Sequence, residues 1–191
     1  MRHHKLAFIV ALICSPSYAA DTFHFGVAPS VATVLVKDPD GNTKSGTTAS
    51  LTNFLVTQAV GRDRLFYQGY FQAFSLKAGV SDIGQNVENI GVNVSGQIAL
   101  RNARGFSPWT PWAGLGLGAA QGKYKLRHTI DQDGYLLNEY ADRSRLNYYV
   151  VGNLSNEWAL KKGWGTGVTL QYQHPITGGI KSLSVAFTIL Y

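Results

Sequence analysis

The chain has 191 residues, a formal charge of +6, only 15% charged residues, 21 glycines and 12% aromatics. That length suits one domain. One cysteine excludes a disulfide framework, and no mature run approaches the roughly 18 to 20 apolar residues of a membrane helix.

Arg2, His3, His4 and Lys5 precede an apolar run from Leu6 to Ile13, and Ser17-Tyr18-Ala19 is a small-x-small cleavage pattern. Residues 1–19 therefore read as a secretory signal peptide and 20–191 as the working domain. A lipoprotein anchor at Cys14 is the competing reading, but Ala11-Leu12-Ile13 places bulky residues where lipidation signals take small ones. Cys14 leaves with the leader. Losing Arg2 and Lys5 lowers the formal charge from +6 to +4. A basic chain can bind nucleic acid, but an exported one meets anionic lipid instead, so no nucleic-acid partner is expected.

Turn signals divide the remainder into eight strand candidates, near 23–37, 48–61, 65–77, 88–101, 110–126, 143–160, 164–174 and 182–191. The links between them alternate in length: 38–47 is long, 61–64 short, 78–87 long, 102–109 middling, 127–142 very long, 161–163 short and 174–181 middling. Pro39-Asp40-Gly41 and Asp133-Gly134 give the long links turn chemistry.

The fourth strand sets Ile90, Val92, Val94, Ile98 and Leu100 against Asn89, Asn93, Ser95, Gln97 and Arg101. The sixth sets Leu146, Tyr148, Val150, Leu154 and Trp158 against Arg145, Asn147, Asn153, Ser155 and Glu157. In the last, Leu183, Val185, Phe187, Ile189 and Tyr191 alternate with small or polar residues. A period of two means a sheet with a different solvent on each face. Strands two and three carry apolar residues on both parities and stay ambiguous.

Alternation does not say which face is inside, because a soluble barrel would turn its apolar set inward around a ligand. Tryptophan placement decides. Trp109 and Trp112 open strand five, Trp158 closes strand six and Trp164 opens strand seven, all at the rim opposite the long links. That reads as an aromatic belt at a membrane interface, with Tyr124, Tyr148 and Tyr172 toward the other. The fold class expected is all-β, an eight-stranded antiparallel transmembrane β-barrel.

The leader, the eight strands, Gly114-Leu115-Gly116-Leu117-Gly118 after a Pro-Trp start and the terminal aromatic strand resemble the small eight-stranded outer-membrane barrels. These include the OmpX type, the OmpA transmembrane domain and the opacity-like proteins. The resemblance covers 20–191 and implies residence in the bacterial outer membrane, with the long links outside. It is nearly silent on activity, since one barrel hosts adhesins, scaffolds and lipid enzymes.

An eight-stranded barrel is filled by its own side chains. Ser30, Gln72, Asn93, Gln97, Arg101, Asn147, Asn153, Glu157, Gln171 and Thr188 are the inward candidates. The stripe Gly114, Gly116, Gly118 would leave room for a lumen ion pair between Arg101 and Glu157, since a buried charge needs its partner. Lys123, Lys125 and Arg127 share a parity, and Arg143 and Arg145 enter the next strand. Together they either gather to hold the phosphates of lipopolysaccharide or form a solvated hairpin balanced by Asp131, Asp133, Glu139 and Asp142. Asp38 to Asn42 and Asp131 to Gly134 lack the Glu that completes a calcium loop, so neither a metal nor another cofactor is expected.

His174 is the one candidate catalytic residue. The segment 174–184 resembles the end of the outer-membrane lipid A 3-O-deacylases, which carry His-x-Ser-Asn and then Gly-Ile-Glu. Here Ile176 stands for the nucleophilic Ser and Lys181 for the acidic partner. A triad without nucleophile and orienting acid has lost its mechanism. The reading is a non-enzymatic barrel working through loops 38–47, 78–87 and 127–142 in surface interaction or envelope stabilisation. Its partners would be outer-membrane lipid, lipopolysaccharide and an extracellular or periplasmic protein. The alternatives are a lipid A-modifying enzyme and a narrow pore. Cysteines introduced at Gly41 and Gly134 should react with an impermeant maleimide on intact cells, and one at Lys162 should not; equal labelling of all three would reverse the orientation.

Overall fold

The computed structural model describes residues 23–37, 43–60, 66–79, 86–100, 110–125, 127–159, 164–176 and 179–190. The expected signal peptide, residues 1–19, lies outside them. Ten strands form: β1 (Phe23–Lys37), β2 (Thr43–Val60), β3 (Phe66–Gly79), β4 (Asn86–Ala99), β5 (Thr110–Lys125), β6 (Arg127–Ile130), β7 (Leu136–Tyr140), β8 (Arg143–Ala159), β9 (Gly165–Pro175) and β10 (Lys181–Leu190). Eight of them close an antiparallel barrel in the order β1-β10-β9-β8-β5-β4-β3-β2, while β6 and β7 pair only with each other. The eight expected strands all form, with two differences. β2 begins at Thr43, five residues before its expected start, and the long link 127–142 carries the β6–β7 hairpin.

Closure comes from the first and last barrel strands, which pair from Gly26↔Leu190 to Leu35↔Lys181. The register between Val27↔Ile189 and Ser30↔Ala186 passes over Pro29 without shifting. Proline has no N–H to give a ladder. Closure matters because hydrocarbon offers no partner to a free backbone group, and a ring of strands removes the edges.

The surface is inverted relative to a soluble protein. Phe25, Val31, Leu51, Ile98, Leu115, Leu117, Leu154, Val185 and Phe187 are exposed, while Gln72, Asn93, Ser95, Gln97, Asn147, Asn153, Gln171 and Thr188 are buried. Each set occupies one parity of its strand, as alternation requires. This surface places the barrel in a bilayer, the outer membrane for barrels of this kind. The ambiguous third strand resolves the same way, with Phe71 and Lys77 outward and Tyr70, Gln72, Phe74, Leu76 and Ala78 buried.

Two aromatic assignments are corrected. Trp112 is 5% exposed and Tyr124 is 9% exposed, both in the lumen. Each shares its parity with inward neighbours, Trp112 with the glycine stripe and Tyr124 with Gly122. Trp158 is half-buried and Trp164 exposed, Tyr148 and Tyr172 are exposed, and Trp109 lies outside the described residues.

Val185 lies midway along β10 on the outer face. Val185→Arg should cost about 2–4 kcal/mol near the midplane and, like Phe187→Asp, block insertion, whereas Val185→Leu should not. Heat-modifiable migration of protein refolded into vesicles reads the outcome; normal folding of both charged variants would contradict the assigned face.

Candidate functional site

The described lumen residues form two layers of different chemistry. The first is an amide hub. Gln72 of β3 accepts hydrogen bonds from Asn93 Nδ2 of β4 at 2.9 Å and from Gln171 Nε2 of β9 at 2.8 Å. In the barrel order β3 and β9 stand opposite each other, so the Gln72–Gln171 bond crosses the full lumen. Asn153 Nδ2 donates to Ser95 Oγ at 2.9 Å, reaching from β8 to β4 over β5.

That reach depends on the β5 glycines. A Cβ on Gly114 would overlap Asn153 Oδ1 and Gln97, one on Gly116 the Val94 carbonyl and Ser95, and one on Gly118 Asn93 Oδ1. The space expected to serve an Arg101–Glu157 pair is filled instead by Gln97, Asn93 and Asn153. Arg101 lies outside the described residues. Glu157 is half-buried four positions from the stripe, opposite Thr110 on β5 and Gly167 on β9. Buried amide and hydroxyl atoms of Asn153, Ser155 and Asn93, with the Trp112 indole nitrogen, have no protein partner. Buried polar groups of this kind take ordered water.

The second layer lies toward the rim that carries the hairpin. Ala32, Val34, Val36, Phe74, Leu76, Ala78, Val87, Ala120, Tyr124, Tyr149, Val151 and Ile180 form one buried apolar cluster. Ile180 enters it from the turn before β10, where Gly179 has a φ of +144° and packs on Asn147. Tyr149 is fully buried, and its hydroxyl donates to Asn89 Oδ1 at 3.4 Å.

The expected basic cluster is divided by the barrel wall. Lys123 and Lys125 are exposed on the lipid-side parity of β5. Arg143 and Arg145 pair with Tyr124 and Gly122, the inward positions of that strand, so they cannot join the lysines. Arg127 opens β6 opposite Tyr140. The lysines meet a group the sequence pattern left out. Lys123 Nζ lies 3.6 Å from Glu88 Oε2, and Lys77 Nζ lies 3.1 Å from Glu88 Oε1. Lys77, Glu88, Lys123 and Lys125 line a shallow cavity of about 340 Å³. It sits one outward position above Ile90, where the apolar band of β4 ends. The signal was available: Lys77 and Glu88 face each other once β3 and β4 are paired in register.

His174 is exposed on the lipid-side parity of β9, with Nδ1 3.2 Å from the Tyr172 hydroxyl. Ile176 and Lys181 are exposed beside it. Among the described residues no group of three or more His, Cys, Asp or Glu side chains converges on a point.

No protein-family model matches the sequence, and no curated protein matches it. Solved structures do. Ail, the attachment invasion locus protein of Yersinia pestis, crystallised with the heparin analogue sucrose octasulfate, superposes with a TM-score of 0.52 at 12% identity. The match spans 88% of this chain and 97% of that one. Neisserial surface protein A superposes with a TM-score of 0.53 at 10% identity, over 90% of this chain and 98% of that one. The chain has the fold of the small eight-stranded outer-membrane barrels.

Gly116→Ala should destabilise the barrel by about 1–3 kcal/mol, the usual cost of overpacking, because its Cβ meets backbone. Gly96→Ala should be near neutral, since nothing lies within 4 Å of its Cβ position. Urea titrations of refolded protein compare them, and equal midpoints would refute the packing role of the stripe.

Proposed function

We propose that this outer-membrane barrel is a non-enzymatic surface or envelope-stabilising protein, delivered by a cleaved leader over residues 1–19, with its hairpin rim outside the cell. There it holds the phosphorylated lipid of the outer leaflet, lipopolysaccharide. The observation that carries this reading is the lysine row: Lys77, Lys123 and Lys125 stand on the outer face immediately above the apolar band, with one carboxylate, Glu88, among them. That is the height at which lipid phosphates sit. Lys binds phosphate as a compact point charge on a flexible stem, and the long stems let the heads rise to the interface. Ail, of the same fold, is crystallised with a sulfated ligand; sulfate esters and phosphates share the chemistry that lysines take.

Two features support a scaffold over the alternatives. The Gln72–Gln171 bond and the apolar layer above it interrupt any straight aqueous path. His174 points toward lipid with a tyrosine as its hydrogen-bond partner, and Ile176 and Lys181 offer neither nucleophile nor acid.

Lys77→Gln, Lys123→Gln and Lys125→Gln together should weaken lipopolysaccharide binding by the refolded protein, and the wild-type affinity should fall with salt, since exposed charges are screened beyond roughly 8 Å at physiological ionic strength. Arg143→Gln with Arg145→Gln should change it little. The reverse pattern would overturn the assignment. Fatty-acid release from lipopolysaccharide that disappears in His174→Ala would overturn the non-enzymatic reading.

A further inference from the structure

On the lipid face of the barrel lies a groove of about 640 Å³, walled by Ile98, Leu115, Leu154, Leu170, Tyr172 and Leu183. Its origin is a single cross-strand row, Gly96↔Leu115↔Gly152↔Tyr172↔Leu183, which runs over β4, β5, β8, β9 and β10. All five positions belong to the outward parity of their strands. Two are glycine, so the row is notched on both sides of Leu115, which stands 73% exposed. A Cβ at Gly96 would meet nothing within 4 Å, and one at Gly152 only Leu115 Cδ2 at 3.9 Å. Packing within the chain demands neither glycine, in contrast to the inward stripe of β5.

Toward the hairpin rim the groove meets two nitrogen-bearing side chains. On β9 the outward residue after Tyr172 is His174, and on β10 the one before Leu183 is Lys181, both exposed. One step beyond Ser182↔Gln173, they stand across from each other. Tyr172 serves both parts: it walls the groove, and its hydroxyl lies 3.2 Å from His174 Nδ1. With Nδ1 accepting from that hydroxyl, the ring proton sits on Nε2, a donor for an anion. Lys181 has no ion-pair partner among the described residues, whereas Lys77 and Lys123 share Glu88.

Shape and charge select the occupant together. The groove opens on the hydrocarbon phase, so what fills it is an apolar chain, which gains over the notched glycines dispersion contacts that a smooth wall does not offer. Its volume falls in the range of roughly 300–1,000 Å³ that small-ligand sites occupy. The uncompensated charge of Lys181 calls for an anion tethered to that chain, and ammonium and imidazole N–H groups hold phosphate through charge-assisted hydrogen bonds. A phosphate carried on an acylated headgroup meets both demands at once.

We propose that this groove is a second lipopolysaccharide site, in which one acyl chain lies over Gly152 between Leu115 and Tyr172 and a lipid A phosphate rests on Lys181 and His174. The assignment rests on the reading that the hairpin rim faces outward and meets the phosphorylated lipid of the outer leaflet. It adds a seat on β8, β9 and β10, apart from the lysine row of β3 and β5. The lysine row offers charge to a headgroup alone. The groove holds headgroup and chain together, and so separates a phosphorylated lipid from a soluble phosphate.

Native mass spectrometry of the refolded protein with diphosphoryl lipid A in detergent micelles counts bound lipid and gives its dissociation constant. Lys181→Gln with His174→Gln should weaken binding about tenfold, and Lys181→Arg should preserve it. Gly152→Phe fills the groove from a position with open space and should weaken binding as much; Val31→Phe, elsewhere on the outer face, should not. Both losses should persist in the Lys77→Gln, Lys123→Gln, Lys125→Gln background, because sites without shared partners add. Heat-modifiable migration verifies folding, and Gly152→Leu carries the same readout if the Phe variant does not fold. Unchanged binding in the Lys181/His174 and Gly152 variants, with a loss in the triple lysine variant, overturns the groove and leaves the lysine row standing. The opposite pattern overturns the lysine row and upholds the groove. Equal binding of dephosphorylated lipid A, or equal competition by phosphatidylglycerol, overturns the assignment to lipopolysaccharide. A dimer that Gly152→Phe dissolves would give the groove to a second barrel and overturn it as well.

Discussion

A sheet in hydrocarbon must satisfy its own backbone, and everything else in this molecule follows from how it meets that demand. Each unpaired N–H or C=O in a bilayer costs several kcal/mol, so the strands form a ring, β10 returns to β1, and even Pro29 is carried across the closing seam without a change of register. Once the ring is closed, period-two alternation assigns every side chain to lipid or to lumen. The apolar set goes outward because no water is there to oppose it. The polar set must find partners within a space that eight strands barely leave open.

The filling of that space explains the glycine stripe. Strands β4 and β8 carry amides that need one another, and β5 stands between them. Removing the β5 side chains at Gly114, Gly116 and Gly118 lets Asn153 reach Ser95 and gives Asn93 and Gln97 room. Gln72 then ties the cluster to Gln171 on the opposite wall. A cross-lumen bond of this kind braces the ring and narrows its bore at once.

The two ends of the lumen differ because their surroundings differ. Toward the rim with the short links, polar side chains meet water and one another. Toward the hairpin rim the interior turns apolar. On the outside, the same height carries lysines around Glu88. Charged and apolar chemistry thus stand on the two faces of one strand, β3, where Phe74 and Leu76 are buried and Lys77 is exposed.

Much of this was legible in the residues themselves. Strand number, strand limits to within a few residues and the faces of β4, β8, β9 and β10 follow from alternation and turn chemistry, which are local. Trp112 was legible too, since its parity is that of the glycines, but residue type suggested a belt where parity placed a lumen residue. The β6–β7 hairpin was hidden because five residues such as Leu136-Leu137-Asn138-Glu139-Tyr140 carry too short a pattern to separate strand from loop. What only the tertiary structure decided is which side chains meet. The division of Lys123 from Arg143, the pairing of Lys77 with Glu88 and the Gln72–Gln171 bond all depend on inter-strand register and on barrel diameter. Those are properties of strands taken together: local alternation sets the face a residue takes, and only closure of the ring sets its neighbour.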